Sequence, residues 1–72
     1  MHATSPNQAV RRRLLIRARL FLAGVSQGDI ARACTVTRGM VCHVVNGRRR
    51  NARIEAALAD ACHMSTSDLW ED

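Results

Sequence analysis

Residues that start or end helices punctuate this chain at short intervals. Residues suited to cap a helix N-terminus alternate with residues suited to end a helix: Ser5, Gly24, Ser26, Thr37, Gly47, Asn51 and Ser65. The apolar residues between them recur at a spacing of three or four, which is the period of a helix and not of a strand. The pattern predicts a compact all-α fold of five short helices, the fourth of them over residues 52–62.

The size of the chain sets a second limit. Its 72 residues provide for one hydrophobic core, and we therefore expect a single domain over residues 1–72, with residues 1–5 as a flexible arm. One Phe, one Trp and no Tyr leave the core to Leu, Ile, Val and Ala, as in small helical bundles.

The first predicted helix has two faces that both contain apolar residues. The larger apolar face, which we expect to pack inward, lies largely opposite the arginines and consists of Val10, Leu14, Leu15, Ala18, Phe21 and Leu22. Ile16 and Leu20 fall on the arginine side. Another helix or a second subunit covers these two residues, or they are exposed.

Charge is distributed very unevenly along the chain. Residues 1–53 contain eleven arginines against one acid, Asp29, for a net charge of +10, whereas residues 54–72 contain five acids and no base, for −5. So basic a region favours a polyanion as partner, either nucleic acid or an anionic membrane surface. No uncharged apolar stretch approaches the roughly 18 residues of a membrane span and no signal peptide is recognisable, so we expect a cytoplasmic protein outside the membrane.

The cysteines and histidines do not form a recognisable metal or catalytic motif. Cys34, Cys42 and Cys62 include no close pair, and the dipeptides Cys42-His43 and Cys62-His63 lack the spacing of zinc ligands. We expect free thiols, with no metal and no cofactor. Because no catalytic constellation is present either, an enzyme with a small-molecule substrate is not expected.

The joint between the second and third helices carries the most information. Small Ala31 and branched Ile30, Val36, Val41 and Val44 suit two short helices that cross steeply around a shared apolar wedge. The opposite side of the third helix carries polar or small residues, which are Arg38, Gly39, Cys42 and His43. A short helix of this kind has the shape and the donors to enter a DNA major groove.

Residues 25–47 resemble the helix-turn-helix of the lambda-repressor-like (XRE, Cro-like) DNA-binding domains, in the order Gln27, Ala31, Val36, Val41, Val44 and Asn46-Gly47. Residues 49–70 are similar to the small phage Ner-like regulators. Two positions depart from these patterns: Thr35 stands where the turn usually has Gly, so a strained or shifted turn is expected, and Glu71 stands where a proline is common.

The resemblance implies a five-helix lambda-repressor-like domain with its helix-turn-helix at residues 26–46, acting as a nucleoid-associated transcriptional regulator. The implied function is sequence-specific repression by operator occupancy, in a phage, an antitoxin system or an autoregulated operon. Arg38 is the first choice for reading bases, and two or three of the last four arginines are expected to touch phosphates. The implied DNA-binding residues are Gln27, Thr37, Arg38, Gly39, Cys42, His43, Asn46, Arg48, Arg49, Arg50 and Arg53.

One reading helix spans only about four base pairs, so we expect a homodimer, at least on DNA, bound to a palindromic double-stranded operator. Leu69 with Trp70, or Ile16 with Leu20, are the candidate dimer contacts, and Trp70 is equally suited to the core. The alternative function is a basic helical module that docks an acidic protein or binds RNA without reading its sequence.

Overall fold

The computed structural model describes the backbone of residues 5–70 and the side chains of residues 10–70. These residues form five helices and no strand: α1 (Ser5–Ala23), α2 (Gln27–Cys34), α3 (Arg38–Val45), α4 (Ala52–Ala61) and α5 (Thr66–Leu69). The predicted all-α class and helix count are confirmed. The predicted arm lies outside the described residues, apart from Ser5, which belongs to α1.

Reciprocal capping fixes the starts of α2 and α5. Ser26 Oγ accepts a hydrogen bond from the Asp29 amide at 3.0 Å, and the Asp29 carboxylate accepts one from the Ser26 amide at 2.9 Å. Ser65 and Asp68 form the same pair of bonds at the start of α5. Each box satisfies two backbone donors that the helix leaves unpaired, and the predicted caps Ser26 and Ser65 are confirmed.

Single side-chain caps begin α3 and α4. Thr37 Oγ1 accepts a hydrogen bond from the Met40 amide at 3.1 Å, and Asn51 Oδ1 accepts one from the Ile54 amide at 3.0 Å. Both predicted caps are confirmed. At its other end α4 stops at Ala61, one residue earlier than predicted, because Cys62 serves as its C-cap.

Two left-handed residues shape the turns on either side of α2. Gly24, which follows α1, has φ +72°, so the predicted glycine C-cap is confirmed. Thr35, which follows α2, has φ 59° and ψ 47°. A β-branched residue is strained there, since its Cβ approaches the backbone carbonyl. The register is not shifted, because the amide of Val36 still bonds to the Ala31 carbonyl at 3.0 Å.

The core is formed where α2, α3 and α4 pack together. Ala31 of α2 is buried, and Val41 and Val44 bury the inner side of α3. Ile54 and Leu58 close the core from α4, while Val36 is half-buried at its edge. The predicted burial of the apolar residues at the α2–α3 joint is therefore confirmed, with Val36 only half-buried.

The expected orientation of α1 is wrong. Ile16 and Leu20 are 0% and 3% exposed and belong to the core, whereas Leu14, Phe21 and Leu22 are 57%, 82% and 80% exposed. The arginines on the inward side do not prevent this, because the stems of arginine side chains pack on apolar surface while the charged heads reach its edge. The larger apolar face of α1 is left without a partner among the described residues.

The C-terminal residues Leu69 and Trp70 are also buried. The Arg12 guanidinium carbon lies 6.0 Å from the centroid of the Trp70 ring, at the outer limit of a cation–π contact. Both candidate dimer contacts, Leu69 with Trp70 and Ile16 with Leu20, are therefore parts of the domain core. None of the five helices combines the length and the hydropathy that crossing a bilayer requires.

Candidate nucleic-acid interface

α3 separates its side chains into a buried and an exposed side. Val41, Val44 and Val45 face the core, and the predicted reading residues Arg38, Gly39, Cys42 and His43 are all exposed. The Thr37 cap leaves the first turn of α3 at the surface, where unpaired backbone N–H groups and the helix dipole favour an anion. The sequence-predicted face of α3 is thus accessible to a ligand.

Gly39 is not required by the fold itself. A Cβ atom at this position would meet only Thr37 Oγ1, at the ordinary contact distance of 3.9 Å. Glycine is a poorer helix former than alanine, so Gly39, the second residue of α3, lowers the stability of the helix without a packing reason. An open backbone here allows another molecule to approach α3 closely.

A groove of about 750 Å³ runs between the C-terminal half of α1, the start of α2 and the outer side of α3. It brings together five of the predicted site residues, which come from two helices and a helix end: Gln27, Arg38, Gly39, Cys42 and Asn46. Its floor is apolar, with Leu20, Val25 and Val45.

Arg17 and Phe21 of α1 line the same groove, and neither was among the predicted site residues. Arg17 adds a second guanidinium to that of Arg38. The sequence shows Arg17 on the arginine side of α1, but that side was expected to face away from the core. Because Ile16 and Leu20 pack inward instead, the arginine side of α1 brings Arg17 beside the α2–α3 joint.

Asn46 is held against α3 by Cys42. The Asn46 side-chain amide donates a hydrogen bond to Cys42 Sγ at 3.4 Å. Asn46 is half-buried, so its position at the end of the groove depends on this contact as well as on the helix end. Both residues were predicted to lie near DNA, and this contact fixes the orientation of the Asn46 side chain relative to that of Cys42.

The arginine loop, residues 48–50, folds back onto the end of α3. Gly47 turns the chain with φ +79°, and the amides of Arg48 and Arg49 donate to the His43 carbonyl at 2.8 and 3.3 Å. Arg48, Arg49 and, at the start of α4, Arg53 are exposed. Two backbone bonds therefore hold the chain at Arg48 and Arg49 close to the C-terminal end of α3.

Arg50 differs from its neighbours because it is bound within the domain. Its Nε and Nη2 atoms donate to the two carboxylate oxygens of Glu55 at 2.8 and 3.2 Å. The Glu55 side chain is 8% exposed and also accepts from the Asn51 amide at 3.0 Å. This pair fastens the loop to α4. The sequence analysis did not single out Glu55, although an acid four residues after the Asn51 N-cap could have indicated its role.

Charged groups around the joint are held by local contacts. Hydrogen bonds from the Ser26 backbone and side chain lower the pKa of Asp29, which also pairs with Arg32. The Arg32 guanidinium is therefore engaged in an ion pair on the outer side of α2. The arginines that remain around the groove, Arg17 and Arg38, have no carboxylate within ion-pair distance in the described part of the chain.

The described residues contain no cluster of three or more His, Cys, Asp or Glu side chains placed to hold a metal ion. Cys34 and Cys62 are buried free thiols, and Cys42 is an exposed one.

Comparison of the chain with protein-family models, curated proteins and solved structures finds no match.

Proposed function

We propose that this chain is a sequence-specific DNA-binding transcriptional regulator, a repressor of phage or operon type that acts by occupying its operator. In this proposal α2 and α3 are the helix-turn-helix of a lambda-repressor-like domain, at residues 26–46. The observation that supports it most is the exposed side of α3, with Arg38 beside a groove that a second arginine and two amide side chains also line.

α3 would enter the major groove with its N-terminal turn first. The Arg38 guanidinium has the fork geometry to donate two hydrogen bonds to guanine O6 and N7. The uncovered backbone at Gly39 would let α3 approach the base edges, and His43 and Cys42 would face the following base pairs. Gln27 and the Thr37-capped turn would lie toward phosphates, which fix the register of a reading helix.

Phosphate contacts would also come from outside α3. Arg17, which lines the groove, and Arg48, Arg49 and Arg53, which are exposed after α3, provide cations on both sides of the reading helix. Such contacts contribute affinity and salt dependence but little sequence information. Arg50 would act indirectly, because its bond to Glu55 fixes the loop that carries Arg48 and Arg49.

The proposal is tested by selecting duplexes that the full chain binds from a random pool, then comparing two variants on the selected site and on random DNA. Arg38→Ala is expected to weaken the selected site about tenfold or more and random DNA much less. Arg49→Ala is expected to weaken both equally and to reduce the slope of log K against log salt by about one.

The same measurement distinguishes the alternative. A pool without a consensus, together with equal losses for both variants, would contradict sequence reading. It would favour a basic helical module that binds RNA nonspecifically or docks an acidic protein. Retained binding of random DNA by Arg38→Ala serves as the control for correct folding.

A further inference from the structure

The outward side of α1 is an apolar stripe with no partner among the described residues. Its members share the helix face opposite Ile16 and Leu20, and we call them the α1 stripe: Val10, Leu14, Leu15, Ala18, Phe21 and Leu22. Single exposed apolar residues are ordinary, whereas a contiguous stripe along a helix indicates a contact surface. No other exposed large apolar side chain occurs in the described residues.

The arginines of α1 are mostly directed away from this stripe. Arg12 lies over the Trp70 ring, and Arg17 lines the groove beside α3. By helical position Arg19 falls between the stripe and the buried Ile16, outside the stripe. Only Arg11 falls within the stripe by helical position, and the stripe is otherwise free of charge.

We propose that the α1 stripe is the contact with a second copy of this chain, the two α1 helices packing antiparallel about a two-fold axis. Helical geometry makes the stripe self-complementary in this arrangement. A pair centred between Leu14 and Ala18 sets the large Leu14 against the small Ala18 of the second copy. The same register brings Val10 beside the second copy's Phe21, and the Arg11 stem beside the second copy's Leu22.

This inference extends the proposed function and rests on it for the role of the grooves. The orientation of such a pair agrees with that function. A two-fold axis perpendicular to two antiparallel helices keeps the same edge of both helices on the same side. The edge in question carries Arg17, which lines the groove together with Gln27 and Arg38. Both grooves would therefore face the same way, as two reading helices on one duplex require.

The area of the stripe indicates a weak contact. Side chains of this size and exposure present on the order of 500 Å² of apolar surface, below the roughly 800 Å² per partner of a typical stable interface. Residual repulsion between the α1 arginines of the two copies lowers the affinity further. The dimer is thus expected at high chain concentration, and on DNA at lower concentration because the duplex aligns two copies.

The test is sedimentation equilibrium of the full chain without DNA, under reducing conditions that prevent cross-linking through Cys42. The wild-type average mass is expected to rise from 8.0 kDa toward twice that value at millimolar concentration. The double variant Leu14→Ser with Phe21→Ser is expected to associate at least tenfold more weakly. The matched control is Ala33→Ser, an exposed substitution on α2, and should associate as wild type does.

Salt gives a second readout with a definite sign. Raising it from about 0.1 to 0.5 M should leave association unchanged or strengthen it, because it screens the arginines, whereas it weakens DNA binding. A wild-type chain that stays monomeric, or a double variant that associates normally, would overturn the inference. So would a monomer whose stripe instead binds vesicles of anionic lipid, with binding lost in the double variant.

These outcomes are separable from those for DNA binding. Stripe-dependent association in a chain that selects no DNA sequence would uphold the interface and reject the proposed function. Specific DNA binding by a chain that remains monomeric on the duplex would uphold the proposed function and reject the interface.

Discussion

α1 and α3 both contain apolar residues at helical spacing, yet they bury them in opposite ways. In α3 the residues Val41, Val44 and Val45 all face the core, and the exposed side is polar or small. Among the side chains of α1 that the structure describes, only Ile16 and Leu20 are buried, while the larger apolar face is exposed. The difference shows that helical spacing identifies an apolar face but not which molecule covers it.

The strongest way to break this comparison is a pair of substitutions within α1. Ile16→Ala is expected to lower the free energy of unfolding by about 3 kcal/mol, because it leaves a cavity in the core. Leu14→Ala should change it by about 0.5 kcal/mol or less, since Leu14 is exposed in the monomer. Urea unfolding followed by circular dichroism, at a concentration where the chain is monomeric, measures both. A larger loss for Leu14→Ala would mean that α1 packs by its other face.

Local sequence chemistry predicted what is local in this fold. The starts of four helices follow from N-cap side chains that bond to backbone groups three residues away, as Ser26 and Asn51 do. The burial at the α2–α3 joint was equally accessible, because the two helices are neighbours along the chain and the apolar residues of each fall on one side. The exposed side of α3 follows from that packing.

What the sequence did not reveal depends on contacts between distant segments. The inward face of α1 is decided by how Ile16 and Leu20 fit α3 and α4, and by the contact of Arg12 with Trp70 near the C-terminus. The roles of Arg17 and Glu55 were missed for the same reason. A run of three arginines likewise gave no sign that one of them, Arg50, binds a buried carboxylate.

Within the arginine loop, a second prediction separates structural from binding cations. Arg50→Ala is expected to cost about 1–2 kcal/mol of stability, because it removes a two-point partner from the nearly buried Glu55 carboxylate. Arg49→Ala, its matched control, should leave stability within about 0.5 kcal/mol. Thermal unfolding of the two variants measures the difference. Equal stabilities would show that the Arg50–Glu55 pair contributes nothing to the fold.

The strained turn after α2 offers a smaller effect of opposite sign. Thr35→Gly is expected to raise stability by roughly 0.5–1 kcal/mol, because glycine adopts φ 59° without the steric cost that threonine has there. The gain is partly offset by the larger entropy of glycine in the unfolded chain. Urea unfolding measures it, with Gly47→Ala as the reverse control at φ +79°. A destabilised Thr35→Gly would mean that the threonine side chain makes a compensating contact.

The substitution with the smallest expected change in stability, Gly39→Ala, is also the most specific test of the role of α3. Gly39→Ala should stabilise the domain by about 0.5 kcal/mol, since alanine favours a helix and its Cβ meets only Thr37 Oγ1 at 3.9 Å. The same methyl group would lie on the proposed DNA side of α3 and should weaken binding to the selected duplex. A variant that is more stable but binds less well would assign the glycine to close approach of a ligand. Ala33→Ser, on an exposed side of α2, is the control that should leave DNA binding unchanged. If Gly39→Ala bound DNA as well as wild type, the first turn of α3 would not lie against the duplex, and the reading role of neighbouring Arg38 would lose its geometric support.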